Sequence, residues 1–142
     1  MKKLSPYINY NGNCEEAFNL YKEIFTGSEF ESVMRFKDLP ADDEASYPEE
    51  DAEKIMHITL KIGEIELFGS DMPESWGGVT VGDNISISIS LDSKEDADRV
   101  FKELAEGGEE QMPLQDQFWG TYFGIAKDKF GVNWMINYDY PQ

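Results

Sequence analysis

The chain contains one histidine, His57, and so one side chain whose ordinary pKa lies near neutrality and can serve as acid, base or hydrogen-bonding contact. It stands in Met56-His57-Ile58-Thr59-Leu60, where polar and apolar residues alternate. The same alternation runs through Ile85-Ser86-Ile87-Ser88-Ile89-Ser90, and Asn9 and Asn137 sit in similar stretches near the two ends. Hydroxyls and carboxamides both donate and accept hydrogen bonds without carrying charge. Phe118-Trp119-Gly120 with Tyr122 adds aromatic faces beside a glycine that permits close backbone approach. A few polar anchors beside an aromatic wall suit the binding of a small organic molecule. The structural alternatives are a hydrogen-bonding histidine within a sheet and an aromatic group that only packs a hairpin.

These residues must be positioned by regular elements. Leu4 to Tyr10 reads as a strand, and Asn11-Gly12-Asn13 as a turn able to cap a helix. Ala17, Phe18, Leu20, Tyr21, Ile24 and Phe25 recur at helical spacing, with Glu15 and Glu16 in the first turn and Gly27 as the stop. Phe30 to Phe36 reads as a second strand, and residues 37–54 as an acidic loop able to gate a site or meet a partner. Ile55 to Ile62 and Ile65 to Phe68 form a hairpin around Gly63. After a glycine-rich linker at 73–82 the order repeats. The serine–isoleucine strand precedes a helix capped by Asp92 or Ser93, with Ala97, Val100, Phe101 and Leu104 as its apolar stripe. Three strands follow, near Glu109 to Met112, Thr121 to Lys127 and Asn133 to Tyr138, with Asp128 as a turn residue binding backbone amides. Trp76 and Trp134 read as packing residues.

The expected fold is α+β: two βαβββ modules, at about 1–72 and 83–142, whose curved mixed sheets surround a central cleft, with helices on the outer face. Period-2 alternation then sorts the strands. If the isoleucines meet the helices, Ser86, Ser88 and Ser90 face the cleft, as do His57, Thr59, Tyr7, Asn9, Met135 and Asn137. The candidate ligand contacts are Asn9, His57, Ser86, Ser88, Trp119, Tyr122 and Asn137, with His57 the candidate catalytic residue.

Composition narrows the partners. A net charge of -17 opposes binding to polyanionic nucleic acid or membrane surfaces. Hydrophobic content of 40% excludes wholesale disorder, and no apolar run approaches the roughly 18 residues of a membrane span. Pro6, Tyr7 and Asn9 interrupt any signal-like apolar stretch. The single cysteine, Cys14, forms no internal disulfide. The expectation is a cytoplasmic protein.

Several motifs in order carry a family resemblance. Asn13-Cys14-Glu15-Glu16-Ala17-Phe18 with Tyr21 and Phe25 is the first, and Met56-His57-Ile58 and Gly63 through Ser70-Asp71 follow. Leu104-Ala105-Glu106-Gly107-Gly108, Met112-Pro113-Leu114, Phe118-Trp119-Gly120 and Asp128-Lys129-Phe130-Gly131-Val132-Asn133-Trp134 complete the set. The chain resembles the glyoxalase/bleomycin-resistance/dioxygenase (vicinal-oxygen-chelate) superfamily, within it the PhnB-like branch. The resemblance implies a homodimer and a site on the concave face of a sheet. Metal-dependent relatives place His, Glu or Gln on the first, fourth, fifth and last strands. The corresponding positions here fall near Tyr7, near Phe68, Ser70 and Asp71, at Ser86, and at Met135. Hydroxyl and thioether groups are poor ligands for zinc, nickel or manganese.

The expectation is therefore a homodimer that binds a small organic molecule with no essential metal and no cofactor. The PhnB-like resemblance also carries a ubiquinone-methyltransferase association, but no glycine-rich strand-to-helix turn in this chain supports the nucleotide-like cofactor it would need. One alternative is a lyase, isomerase or dioxygenase-like enzyme, metal-dependent or using His57. The other is a non-catalytic partner-binding domain.

Overall fold

A computed structural model describes residues 1–40 and 47–142. The chain divides into two compact units, Met1–Thr80 and Val81–Gln142, each a βαβββ module.

In the first module β1 (Tyr7–Tyr10), α1 (Cys14–Ile24), β2 (Glu29–Arg35), β3 (Ile55–Ile62) and β4 (Ile65–Asp71) build a sheet of order β1-β4-β3-β2. β1 runs parallel to β4 and the other pairs are antiparallel. α1 covers one face with Cys14, Ala17, Phe18, Tyr21 and Ile24, all buried. Gly69 of β4 marks the contact: a Cβ there would stand 2.4 Å from Phe18 Cε1 and 3.2 Å from Cys14 Sγ. Ile58 is paired with Gly69 and Leu60 with Leu67, so these residues share the helix side. Ile58, Leu60 and Leu67 are all buried.

The second module repeats the plan. β5 (Ile87–Ser90), α2 (Lys94–Ala105), β6 (Glu109–Asp116), β7 (Thr121–Lys127) and β8 (Asn133–Asp139) give the order β5-β8-β7-β6. Gly124 lies under Phe101, whose Cε2 would be 3.0 Å from an added Cβ. The ladder Ile89–Ile136–Gly124 therefore faces α2.

Several sequence boundaries move. β1 starts at Tyr7 rather than Leu4, β4 runs on to Asp71, and β6 reaches Asp116 through Pro113 on an edge strand, where a missing N–H costs no ladder bond. β5 is shorter than its alternation suggests: Ile85 is 76% exposed and precedes the strand. Its carbonyl accepts a bond from Asn133 Nδ2 at 3.2 Å instead of a ladder bond. The acidic loop keeps its irregular character at both described ends, as the short 3-10 turns Phe36–Asp38 and Glu49–Asp51. Residues 41–46 of it lie outside the described residues.

The helices are capped in different ways. Ser93 Oγ accepts the Asp96 N–H at 3.1 Å, an ordinary N-cap. Asn13 makes no such side-chain bond. The Cys14 and Gly12 N–H groups instead donate to Asp71 Oδ1 at 2.9 and 3.0 Å.

Candidate functional site

Because β3 pairs with β4 and β4 with β1, the residues between the helix-facing ones come together on the helix-free side of the first sheet. Thr59 is opposite Phe68, and Phe68 is opposite Tyr7. On the other flank Met34 is opposite His57 and Ser32 opposite Thr59. The His57 ring stands between Tyr7 and Phe68, with centroids 5.7 and 5.5 Å away, and those two rings are 6.1 Å apart. His57 Nε2 lies 3.0 Å from the hydroxyl of the buried Thr59. Nδ1 has only a long 3.4 Å approach from the Tyr7 phenol. Ser70 Oγ donates to Asn9 Oδ1 at 3.0 Å beside this group.

Ions stand at the margin of this face and are paired, Lys3 with Glu66 and Lys61 with Glu31. Around the imidazole the surface is aromatic and hydroxyl-bearing. Such a surface can stack on a planar or apolar body and hydrogen-bond a polar group through Nδ1.

The frame behind His57 is held by Asp71, a buried carboxylate. Besides Gly12 and Cys14 it accepts the Ile55 N–H at 2.9 Å on Oδ2. One side chain thus ties the turn after β1, the start of α1 and the start of β3, the strand that carries His57. Nearby, Asn11 pairs reciprocally with the Val79 backbone at 2.9 and 2.8 Å. An open depression of about 670 Å³ lies between residues 48–54 and 72–79. Its ammonium group, Lys54, is paired with the buried Asp51 at 2.7 Å.

The second module has its own helix-free face. Ser88, opposite Met135, and Ser90, opposite Asn137, lie on it with Ile125 and Phe123. Asn137 Nδ2 donates to Asp139 at 3.0 Å.

The sequence-derived contacts separate accordingly. Asn9 and His57 share the first module's face, and Ser88 and Asn137 the second's. Ser86 precedes β5 rather than lying in it. Trp119 stands at the tip of the β6–β7 hairpin, 54% exposed, with its ring edge-on to Phe118 at 4.9 Å.

Tyr122 points to the helix side of its sheet. It has the same parity as Gly124, its phenol donates to Asp98 of α2 at 2.6 Å, and Lys94 sits 4.7 Å over its ring. The carboxylate beside it pushes its pKa up to about 12. Tyr122 is therefore not brought onto the face that holds Ser88 and Asn137.

Phe68 and Met34 are the neighbours of His57 that alternation did not single out, since they become neighbours only through the strand register. Asp128 and Trp134 behave as expected. Asp128 accepts the Phe130 and Val132 N–H groups at 2.9 and 3.0 Å and the Trp134 indole at 2.9 Å.

The residues do not fit the metal chemistry of the metal-dependent relatives. Asp71 is committed to backbone amides, and Tyr7, Ser86 and Met135 are poor donors to zinc, nickel or manganese. Among the described residues no group of three or more His, Cys, Asp or Glu side chains converges on one point. No helix among them is long and apolar enough to cross a membrane. Cys14 is a buried free thiol, its pKa pushed up by burial and then by Asp71 and Glu15.

Comparison with known proteins agrees with this architecture. Residues 2–137 match the family model described as 3-demethylubiquinone-9 3-methyltransferase. Protein YjdN of Escherichia coli is 34% identical, over 94% of this chain and 93% of its own. The crystal structure of protein PA1353 from Pseudomonas aeruginosa superposes with a TM-score of 0.85 at 39% identity, covering 98% of both chains. A PhnB protein from Bacillus cereus gives 0.79 at 27% identity, over 96% of this chain and 99% of its own. Solved members of the wider glyoxalase/bleomycin resistance/dioxygenase group share the fold at 13% and 14% identity. With two mixed four-stranded sheets, one helix on each, and a family match across nearly its whole length, the chain belongs to the 3-demethylubiquinone-9 3-methyltransferase family, is similar to a PhnB protein within it, and shares the fold of the glyoxalase/bleomycin resistance/dioxygenase group.

Proposed function

We propose that the protein binds a small organic molecule on the helix-free face around His57 and needs no metal ion to do so. The observation that carries this reading is the Tyr7–His57–Phe68 ring group. It leaves Nδ1 of the chain's one imidazole with a long contact that a ligand hydroxyl or carbonyl can replace. Asn9 and Thr59 are the flanking polar contacts. Ser88 and Asn137 on the second module, with Ser86 just before β5 and Trp119 at the β6–β7 tip, offer polar and aromatic groups of the same kind. Tyr122, engaged with Asp98, is withdrawn from the proposed contacts.

The donor set supports binding without a metal, since one imidazole is surrounded by hydroxyls, a carboxamide and aromatic carbon. Methyl transfer from a nucleotide-like cofactor is not part of the proposal. The Gly12 and Cys14 N–H groups of the β1–α1 turn, which such a cofactor's anionic part would use, are taken by Asp71. We further propose a cytoplasmic homodimer. The family resemblance supports the dimer, and a single buried thiol suits a reducing compartment.

Thermal-shift screening with a library of planar hydroxylated and carbonyl compounds tests the reading. A true ligand at about 100 times its Kd adds about 2.7 kcal/mol of stability, and His57→Ala is expected to weaken it about tenfold. Absence of any stabilising compound overturns the proposal. So does stoichiometric metal, in protein purified without chelator, that disappears with His57→Ala. The second reading, an enzyme with His57 as general base, rests on the same open Nδ1. It is favoured if a bound compound is converted and His57→Gln stops conversion without preventing binding.

A further inference from the structure

The β6–β7 hairpin carries the most exposed aromatic pair of the described residues, and something must hold it. Phe118 is 97% exposed and Trp119 54%. Two bonds close the loop itself: Gln117 N–H to Thr121 O at 2.7 Å, and Gly120 N–H to Gln117 O at 3.0 Å. They shape the turn without fixing it to the rest of the module.

Tyr140, beyond the end of β8, grips both legs. Its N–H donates to the Gly120 carbonyl at 3.1 Å, on the leg that enters β7. Its phenol donates to the Asp116 carboxylate, at the end of β6. The two attachments bracket residues 117–119. Tyr140 is itself anchored edge-on against Tyr138 at 5.3 Å, and the Lys94 ammonium at the start of α2 lies near enough to act on its phenol electrostatically. Lys94 in turn covers Tyr122, which is bonded to Asp98 of the same helix.

We propose that Tyr140 is the positioning residue of the Phe118–Trp119 tip, so that the segment after β8 works as a strap tying that aromatic tip to the end of β8. The consequence for ligand contact rests on the reading of Trp119 as a wall, whereas the strap does not.

The strap has a chemical signature. The phenol must be protonated to donate to Asp116, and the groups facing it are Asp116 on β6, Lys94 with Asp98 behind it on α2, Tyr122 on β7 and Tyr138 on β8. Asp116 raises the Tyr140 pKa and Lys94 opposes it, the net direction being upward. The bond is therefore complete at neutral pH. It is lost only as pH climbs past the ordinary tyrosine value of about 10.

The test labels the tryptophans with 5-fluorotryptophan, assigns Trp119 with Trp119→Phe, and follows amide exchange at Gln117 and Gly120. Tyr140→Phe keeps the ring and the N–H but loses the phenol. It is expected to speed exchange at these two amides roughly 5- to 10-fold, the scale of one lost hydrogen bond, and to shift the Trp119 resonance. Asp116→Ala should do the same, while Asp116→Asn, which keeps an acceptor oxygen, should stay near wild type. The wild-type Trp119 resonance should move in the alkaline range and that of Tyr140→Phe should not. Unchanged exchange and resonance in Tyr140→Phe overturn the proposal, as does a rise spread equally over the amides of β7 and β8. If the strap signatures appear but ligand affinity in Tyr140→Phe equals wild type, Trp119 is removed from the ligand surface and the strap stands.

Discussion

In each module a buried aspartate at or just beyond the end of a strand gathers N–H groups, Asp71 in the first and Asp128 in the second. Asp128 takes them from Phe130, Val132 and Trp134, two, four and six residues away. Asp71 takes them from Gly12, Cys14 and Ile55, at separations of 59, 57 and 16 residues. The same chemistry thus closes a local turn in one module and joins three distant segments in the other. The difference extends to the helices: α2 is capped by its own Ser93, whereas α1 relies on Asp71. Local anchoring leaves the second module's site elements to their own turns and to the segment after β8. Remote anchoring makes the placement of His57 depend on the assembled module.

Removing the two aspartates gives the largest expected contrast. Asp71→Ala strands two buried donors and a half-buried one and should cost roughly 3–5 kcal/mol, whereas Asp128→Ala should cost roughly 2–3 kcal/mol because its turn donors can reach water. Urea unfolding checks this, and equal losses would break the comparison. Next come the two glycines beneath the helices. An added Cβ at Gly69 meets the buried Phe18 ring at 2.4 Å, against 3.0 Å for the nearest atoms at Gly124. Gly69→Ala is expected to cost about 2–3 kcal/mol and Gly124→Ala about 1–2 kcal/mol, seen as a larger drop in unfolding midpoint for the first.

The caps follow. Ser93→Ala should lose about 1 kcal/mol and Asn13→Ala less than about 0.5 kcal/mol, since Asn13 makes no cap bond to lose. A cost at Asn13 as large as that at Ser93 would show that α1 is capped locally after all. The smallest effect is confined to alkaline pH. Tyr122, held by Asp98, should titrate near 12 by ultraviolet absorbance, and Asp98→Asn should move it back towards the ordinary value. Because the folded pKa is raised, this contribution to stability is present below the unfolded tyrosine value and fades as pH rises towards 12.

Alternation along β3 was enough to place His57 and Thr59 opposite Ile58 and Leu60, because large apolar residues mark the helix side there. The same logic has nothing to work on in β7. Gly124 and Ala126 face α2, yet neither is bulky, because Phe101 supplies the volume; sequence alone therefore places Tyr122 with the hairpin aromatics rather than with the helix. Ile85 continues the alternation of β5 and still lies outside it, its carbonyl bonded to the Asn133 carboxamide. Phe68 and Met34 become neighbours of His57 through register, which a period of two does not specify.

The amino-acid order by itself determined the βαβββ repeat, both helices and the Asp128 turn, and narrowed the α2 cap to Asp92 or Ser93, of which the structure uses Ser93. Each depends on partners within a few residues, where spacing and side-chain chemistry suffice. Tertiary structure alone decided that Asp71 caps α1 and carries β3, that Tyr122 belongs to the helix, and that Tyr140 straps the aromatic tip. Those contacts join residues that meet only after the strands have paired, so the closure entropy is met by the whole sheet rather than by any local stretch of chain.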